Sequence, residues 1–154
     1  MLNVHYLSVQ DVLWINLQVT KKVNHYRFAM LEEATFCQYA IGSQPSVDTQ
    51  ASRLLNGLIK LRPFDLGNEA TALVGCEAFL NLNGRELGLS DDKAPSWIDA
   101  VIEGRKSSQS AVQEVSRGYQ EGPIGDVKKA ISAAISRFDC TIQLLIERNT
   151  KCTA

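Results

Sequence analysis

Leu61-Arg62-Pro63-Phe64-Asp65-Leu66-Gly67-Asn68-Glu69-Ala70-Thr71-Ala72-Leu73 is the stretch on which the fold turns. Pro63 ends whatever helix precedes it, because the residue before a proline is pushed out of the α region. Beyond Gly67 and Asn68 a new helix begins, about Glu69 to Leu82, in which Ala70, Ala72, Leu73, Val74, Cys76, Ala78, Phe79 and Leu80 leave hardly any polar face. A helix that is apolar all round is buried all round, so this one is expected at the centre of the domain. Asn83-Gly84 closes it with residues that tolerate positive φ.

Upstream of Pro63, Leu54, Leu55, Leu58 and Ile59 recur on one face of a helix from about Val47 or Thr49 to Leu61. Gly42 to Gln50 carries Gly, Ser, Pro and Asp and reads as a loop. Before it stands a helix from Phe28 to Ile41 closed by Gly42, and before that a first helix running to about Lys22. Ser8 with Asp11 makes a capping-box-like start for the first helix, and Val9, Val12, Leu13 and Leu17 form its inner face.

Downstream, Ser90 or Asp92 is the expected cap of a helix with Pro95 in its first turn and Trp97, Ile98, Val101 and Ile102 facing inward. A short helix follows near Gln109 to Arg117, and Gly122-Pro123 breaks the chain. A last helix, Gly125 to Arg148, repeats apolar residues at Val127, Ile131, Ala134, Ile135, Phe138, Ile142 and Leu145. The reading is all-α: a single-domain bundle of six or seven helices with negligible sheet, residues 1–120 forming the helical domain and 121–154 the C-terminal amphipathic helix. That stripe needs a cover, either the same domain or a second chain, and Ser132, Ala133, Ala134 and Ser136 are small enough to let two helices approach.

Composition excludes several classes. The 154 residues carry 16 Lys and Arg against 17 Asp and Glu, so no basic footprint for nucleic acid or anionic membrane is present. No apolar run approaches the roughly 18 residues a membrane span requires, and no basic region leads an apolar one at the N-terminus. Cys37, Cys76, Cys140 and Cys152 form no Cys-x-x-Cys pair and have no histidine near them in sequence, which argues against a metal site and for reduced thiols in the cytoplasm. Arg85, Lys93, Arg105 and Lys106 are interleaved with Glu86, Asp91, Asp92 and Glu103, as on an ordinary solvated surface. A protein or small-molecule partner is the better expectation.

The stretch from Arg62 to Ala72, with Phe79-Leu80 and Leu82-Asn83-Gly84 after it, resembles the Fic/Doc (death-on-curing) signature H-P-F-x-D-G-N-K-R-T-A and its downstream landmarks. Tyr6 to Leu13, Leu31-Glu32-Glu33-Ala34 and Leu54-Leu55-Asn56-Gly57-Leu58 are similar to further landmarks of the Doc branch, in the same order, so the resemblance covers about residues 4 to 118. The resemblance implies a nucleotide-dependent transferase in which a histidine is general base toward a protein hydroxyl, an acid holds magnesium, and the loop amides cradle phosphates at a helix start. Here the histidine position is Arg62, the acid position Leu66, the lysine position Glu69 and the arginine position Ala70, while Pro63, Phe64, Gly67, Asn68, Thr71 and Ala72 remain.

These departures remove the chemistry. A guanidinium stays protonated at cellular pH, so Arg62 cannot be the base. Glu69 and Ala70 for lysine and arginine turn a loop of about +2 into about −1, and one charge ~5 Å from a phosphate is worth ~3 kcal/mol at an effective dielectric of ~20. The helix start still favours an anion, but Glu69 can be that anion itself. The vestigial loop is therefore Arg62, Asp65, Gly67, Asn68 and Glu69, with no catalytic residue, metal or cofactor expected. Asp65, one residue before the family's acid, is the weaker candidate for magnesium, and His5 and His25 are weaker candidates for a replacement base.

The resemblance thus implies a catalytically inactive Fic/Doc-like protein that acts by protein binding or regulation, in a toxin–antitoxin-like or related context. Two alternatives stand beside it: an active phosphoryl or AMP transferase using ATP or another nucleotide with Mg at a rearranged site, and a helical scaffold that forms a homodimer through its last helix. The resemblance also implies a target-binding flap in the place of Gly42 to Gln50, which shows no strand alternation, and Ser110 to Glu114 only partly matches the inhibitory-helix pattern of some relatives.

Overall fold

The computed structural model describes residues 4–39 and 46–152, with the backbone alone for 149–152. Among the described residues there are eight helices: α1 (Val9–Thr20), α2 (Phe28–Phe36), α3 (Val47–Leu61), α4 (Asn68–Leu82), α5 (Ala94–Ile102), α6 (Ser108–Val115), α7 (Val127–Arg137) and α8 (Asp139–Cys152). Strands β1 (Arg85–Leu87) and β2 (Ser116–Gly118) pair antiparallel with Arg85 opposite Gly118. The fold is all-α, with this three-residue ribbon as its sheet. No helix among the described residues is long and apolar enough to cross a membrane.

Every residue of α4 is buried, as its composition requires. Around it pack α3, α7, α1, α8 and β1, so α4 has no solvent side to support. At Gly75 the packing is of ordinary closeness: a Cβ there would sit 3.6 Å from Leu58 Cδ1. The core is continuous from Leu7 and Ile15 through Leu54, Leu55 and Leu58 to Phe79, Ile98 and Phe138. Burial of each large apolar side chain there contributes about 1.5–3 kcal/mol before the ordering entropy is subtracted.

The capping box expected at Ser8 is formed, Asp11 N–H donating to Ser8 Oγ at 3.1 Å and Ser8 N–H to Asp11 Oδ2 at 2.8 Å. Four boundaries differ from the sequence reading. Helix α2 stops at Phe36 rather than Ile41, because the buried Gln38 side chain accepts from Leu7 N–H at 2.8 Å and donates to Leu7 carbonyl at 2.7 Å, pulling the chain out of helical register. Ile41 and, of the segment Gly42 to Gln50 read as the flap, residues 42–45 lie outside the described residues, while 47–50 already belong to α3. Helix α5 is not capped by a Ser90 or Asp92 side chain; Lys93 is the N-cap, and the Ser90 backbone carbonyl accepts from Ala94 N–H instead. Helix α6 ends at Val115, since 116–118 are taken by pairing with β1.

The fourth difference is the largest and makes the count eight instead of six or seven. The helix expected from Gly125 to Arg148 is broken at Phe138 into α7 and α8. Asp91, 49 positions earlier than Cys140, supplies the cap that makes the break possible: its carboxylate accepts from Cys140 N–H at 2.9 Å, Thr141 N–H at 3.0 Å and Thr141 Oγ1 at 2.6 Å. Partial burial pushes this carboxyl up, but the Thr141 hydroxyl and the two amides outweigh it and hold Asp91 below the usual carboxylate range. Most of the apolar stripe is covered within the chain: Ile131, Ala134, Phe138, Ile142 and Leu145 are buried and Val127 and Ile135 partly so, with α7 and α8 both against α4.

Candidate functional site

The loop between α3 and α4 is positioned from three directions. Pro63 closes α3, and Arg62 turns the corner in a left-handed conformation at φ 45. The segment 25–27 lies alongside as a short ladder: Arg27 N–H donates to Pro63 carbonyl at 2.9 Å, Asp65 N–H donates to His25 carbonyl at 3.1 Å, and Tyr26 bridges Phe64. The Arg27 guanidinium also donates to Arg62 carbonyl.

From α1, the buried Asn16 amide donates to Leu66 carbonyl at 2.8 Å and Thr71 Oγ1 at 3.2 Å, and is itself held by Asn24 at 3.0 Å. The third anchor is Asn68, whose side chain turns back on Phe64, accepting its N–H at 2.9 Å and donating to its carbonyl at 2.7 Å. Gly67 is required twice, by its φ of 82 and because a Cβ there would lie 2.5 Å from Thr20 Cγ2.

These anchors fix where each sequence-predicted residue goes. Arg62 and Glu69 come together as an ion pair at the start of α4 and line one wall of a cleft of about 310 Å³. Across it, Arg148 clasps Asp99 through two contacts of 2.7 and 3.2 Å, with Glu103 beside them. Three carboxylates thus face two guanidiniums. Gly67 and Asn68 serve the loop's backbone, and Ala70 is wholly buried. Asp65 is not brought into the cleft; it is exposed, 3.9 Å from Arg27.

The chemistry open to this arrangement is limited. Glu69 sits in the first turn of α4, where its charge meets the positive end of the helix dipole. It is paired with Arg62, so an incoming phosphate would have to compete with a resident carboxylate for the same cation. Leu66 has no donor atom, and Asp65 is exposed beside a guanidinium. That donor set does not fit a magnesium ion held on nucleotide phosphates. Among the described residues no three His, Cys, Asp or Glu side chains are grouped as metal ligands.

Sequence reading missed the brace residues. Asn16 had a signal, a polar side chain between Val12 and Val19 on an otherwise apolar face; Arg27 and Asn24 had none. His25 is remote in sequence but not in space, since its carbonyl bonds to the loop at Asp65. His5, by contrast, is tied to Asn83 at the other end of α4.

A scan against protein-family models returned no match. Searches of curated proteins and of solved structures returned none either. The likeness to known proteins therefore rests on the motif residues and their order alone.

Proposed function

We propose that this chain is a Doc-like domain of the Fic/Doc family that has given up nucleotide-dependent transfer and acts by binding another protein, in a toxin–antitoxin-like or related regulatory setting. The observation that carries the reading is the Arg62–Glu69 pair: the loop's remaining cation and its new anion neutralise each other at the helix start where the family seats its phosphates. The scaffold of the loop is kept, with Asn68, Gly67 and Thr71 all hydrogen-bonded or packed in place. A retained frame with a closed anion position suits recognition rather than turnover.

Protein binding has its own support. The large apolar side chains exposed among the described residues, Trp14, Val23, Tyr26, Phe28, Met30, Phe36 and Tyr39, all come from one stretch of chain, α1 to the end of α2. Large apolar side chains left partly in water are the material from which partner surfaces are built. The homodimer through the last helix has less support, because five of the seven stripe residues are buried inside the chain.

A second reading, transfer from a rearranged site, has one observation in its favour: His25 and Asp65 adjoin through their backbones at the loop. One experiment separates the two. The purified protein is incubated with Mg and ATP, CTP, GTP or UTP and candidate protein substrates, and transfer is read by intact mass. No transfer, with calorimetric nucleotide affinity of about millimolar or weaker, is the expected result. Turnover that disappears in Asp65→Ala or His25→Ala would overturn the proposal and establish the second reading.

A further inference from the structure

A second cavity, of about 530 Å³, opens between α3, the end of α2 and the connection from α5 to α6. Arg53, Asn56 and Lys60 stand three and four positions apart on α3 and so share one helix face along its wall. Lys106 and Ser108 contribute from the opposite side, and among the described residues no Asp or Glu lines the space. Lys106 is paired with Glu114. Asn56 Oδ1 accepts from Ser108 Oγ at 3.5 Å, which leaves the Asn56 amide nitrogen to donate into the cavity.

Arg53 stands apart from every other arginine. The sequence has eight. Arg27, Arg62, Arg85, Arg105, Arg117, Arg137 and Arg148 each pair with a carboxylate. Arg53 makes no ion pair or hydrogen bond among the described residues, although it is half-buried, and neither does Lys60. In a protein whose net charge is −1, Arg53 and Lys60 stand without a carboxylate partner on one wall of a cavity whose described lining holds no acid.

We propose that this cavity is a binding site for a small phosphate-bearing molecule, seated by Arg53 and Lys60 with Asn56 donating between them. A dianionic group matches two cations better than a single carboxylate does, and the Arg53 fork suits two oxygens of one phosphate. The site is distinct from the cleft at Arg62 and Glu69 and does not depend on how that cleft is read.

The test uses the full chain, with inorganic pyrophosphate as the probe. Calorimetry is expected to show salt-sensitive binding that weakens about tenfold in Arg53→Gln and in Lys60→Glu. It is expected to be unchanged in Arg62→Gln. Cys37, half-exposed on the cavity wall, gives a second readout: its alkylation, followed by peptide mass, is expected to slow with pyrophosphate while that of exposed Cys140 does not. Lys60 is exposed, so its variant tests the charge without risking the fold, which circular dichroism checks. Absence of binding at millimolar pyrophosphate would overturn the inference. So would binding lost in Arg62→Gln but kept in Arg53→Gln, which would put the anion at the start of α4 and count against the closed motif loop as well.

Discussion

Helix α4 carries two acid–arginine pairs that share their chemistry and differ in their setting. Glu69, in its first turn, meets Arg62 from seven residues earlier, and that guanidinium is 47% exposed. Glu77, two turns on, is fully buried and meets Arg137 from sixty residues later. The inner pair is also wired into its surroundings. Glu77 accepts from Leu87 N–H at 2.9 Å, while Arg137 donates to Leu89 carbonyl at 3.0 Å and reaches Glu86 at 3.3 Å. One pair closes a loop next to it in sequence; the other clamps α4, β1 and α7 together. Solvent sets the difference in degree: Glu69 is 11% exposed with a partner half in water, whereas Glu77 is wholly enclosed, and a buried charge left alone is the costlier.

The sharpest way to break this contrast is to remove the inner arginine. Arg137→Ala is expected to cost about 3–5 kcal/mol of unfolding free energy near pH 8, because it leaves a buried carboxylate without its counter-charge. Near pH 5 the cost is expected to be smaller, since Glu77 can then take up a proton. Denaturant titrations at the two pH values check this, and an equal loss at both would show that Glu77 is not the group responsible.

The next effect is on pH dependence. Burial pushes the Glu77 carboxyl up to about 7 from an ordinary 4.5, against the pull of the Leu87 amide and of Arg137. The folded state therefore holds this proton more tightly than the unfolded one. Its contribution to stability is full below the unfolded value and is lost as pH rises through about 7. The total is about 3 kcal/mol across that window. Glu77→Gln keeps the shape without the titration and is expected to flatten the slope; a slope that survives the substitution belongs to another group.

The smallest effect is at the loop. Arg62→Ala is expected to cost about 1–2 kcal/mol, less than Arg137→Ala because Arg62 is half exposed and its removal opens Glu69, now 11% exposed, to water, a shift of a few degrees in melting temperature. A loss approaching that of Arg137→Ala would make the Arg62–Glu69 pair a structural clamp and would remove the difference between the two ends of α4.

Much of this molecule was legible because its signals are local. The capping box at Ser8 and Asp11 needs four residues, and the burial of α4 is written in its own composition. At the candidate site, the helix start after Gly67 and the carboxylate that Glu69 places in its first turn were likewise visible residue by residue. What could not be read was which partners those residues take. A glutamate inside an apolar helix announces that something must satisfy it, yet nothing near Glu77 points to Arg137. The brace of Asn16, Asn24 and Arg27 on the loop, and the approach of His25 to Asp65, arise from chain segments that meet only after folding.

The last third of the chain draws the line most clearly. By itself the sequence determined that most of residues 125 to 148 is helical and apolar on one face, because periodicity is a property of neighbours. It carries no glycine or proline at Phe138 and so no reason to stop there. Tertiary structure decided the break, since a new helix start exposes backbone N–H groups that must find acceptors, and the acceptor is Asp91, delivered by the turn before α5. With those amides satisfied, Phe138 goes into the core and α8 turns onto α4 and α1.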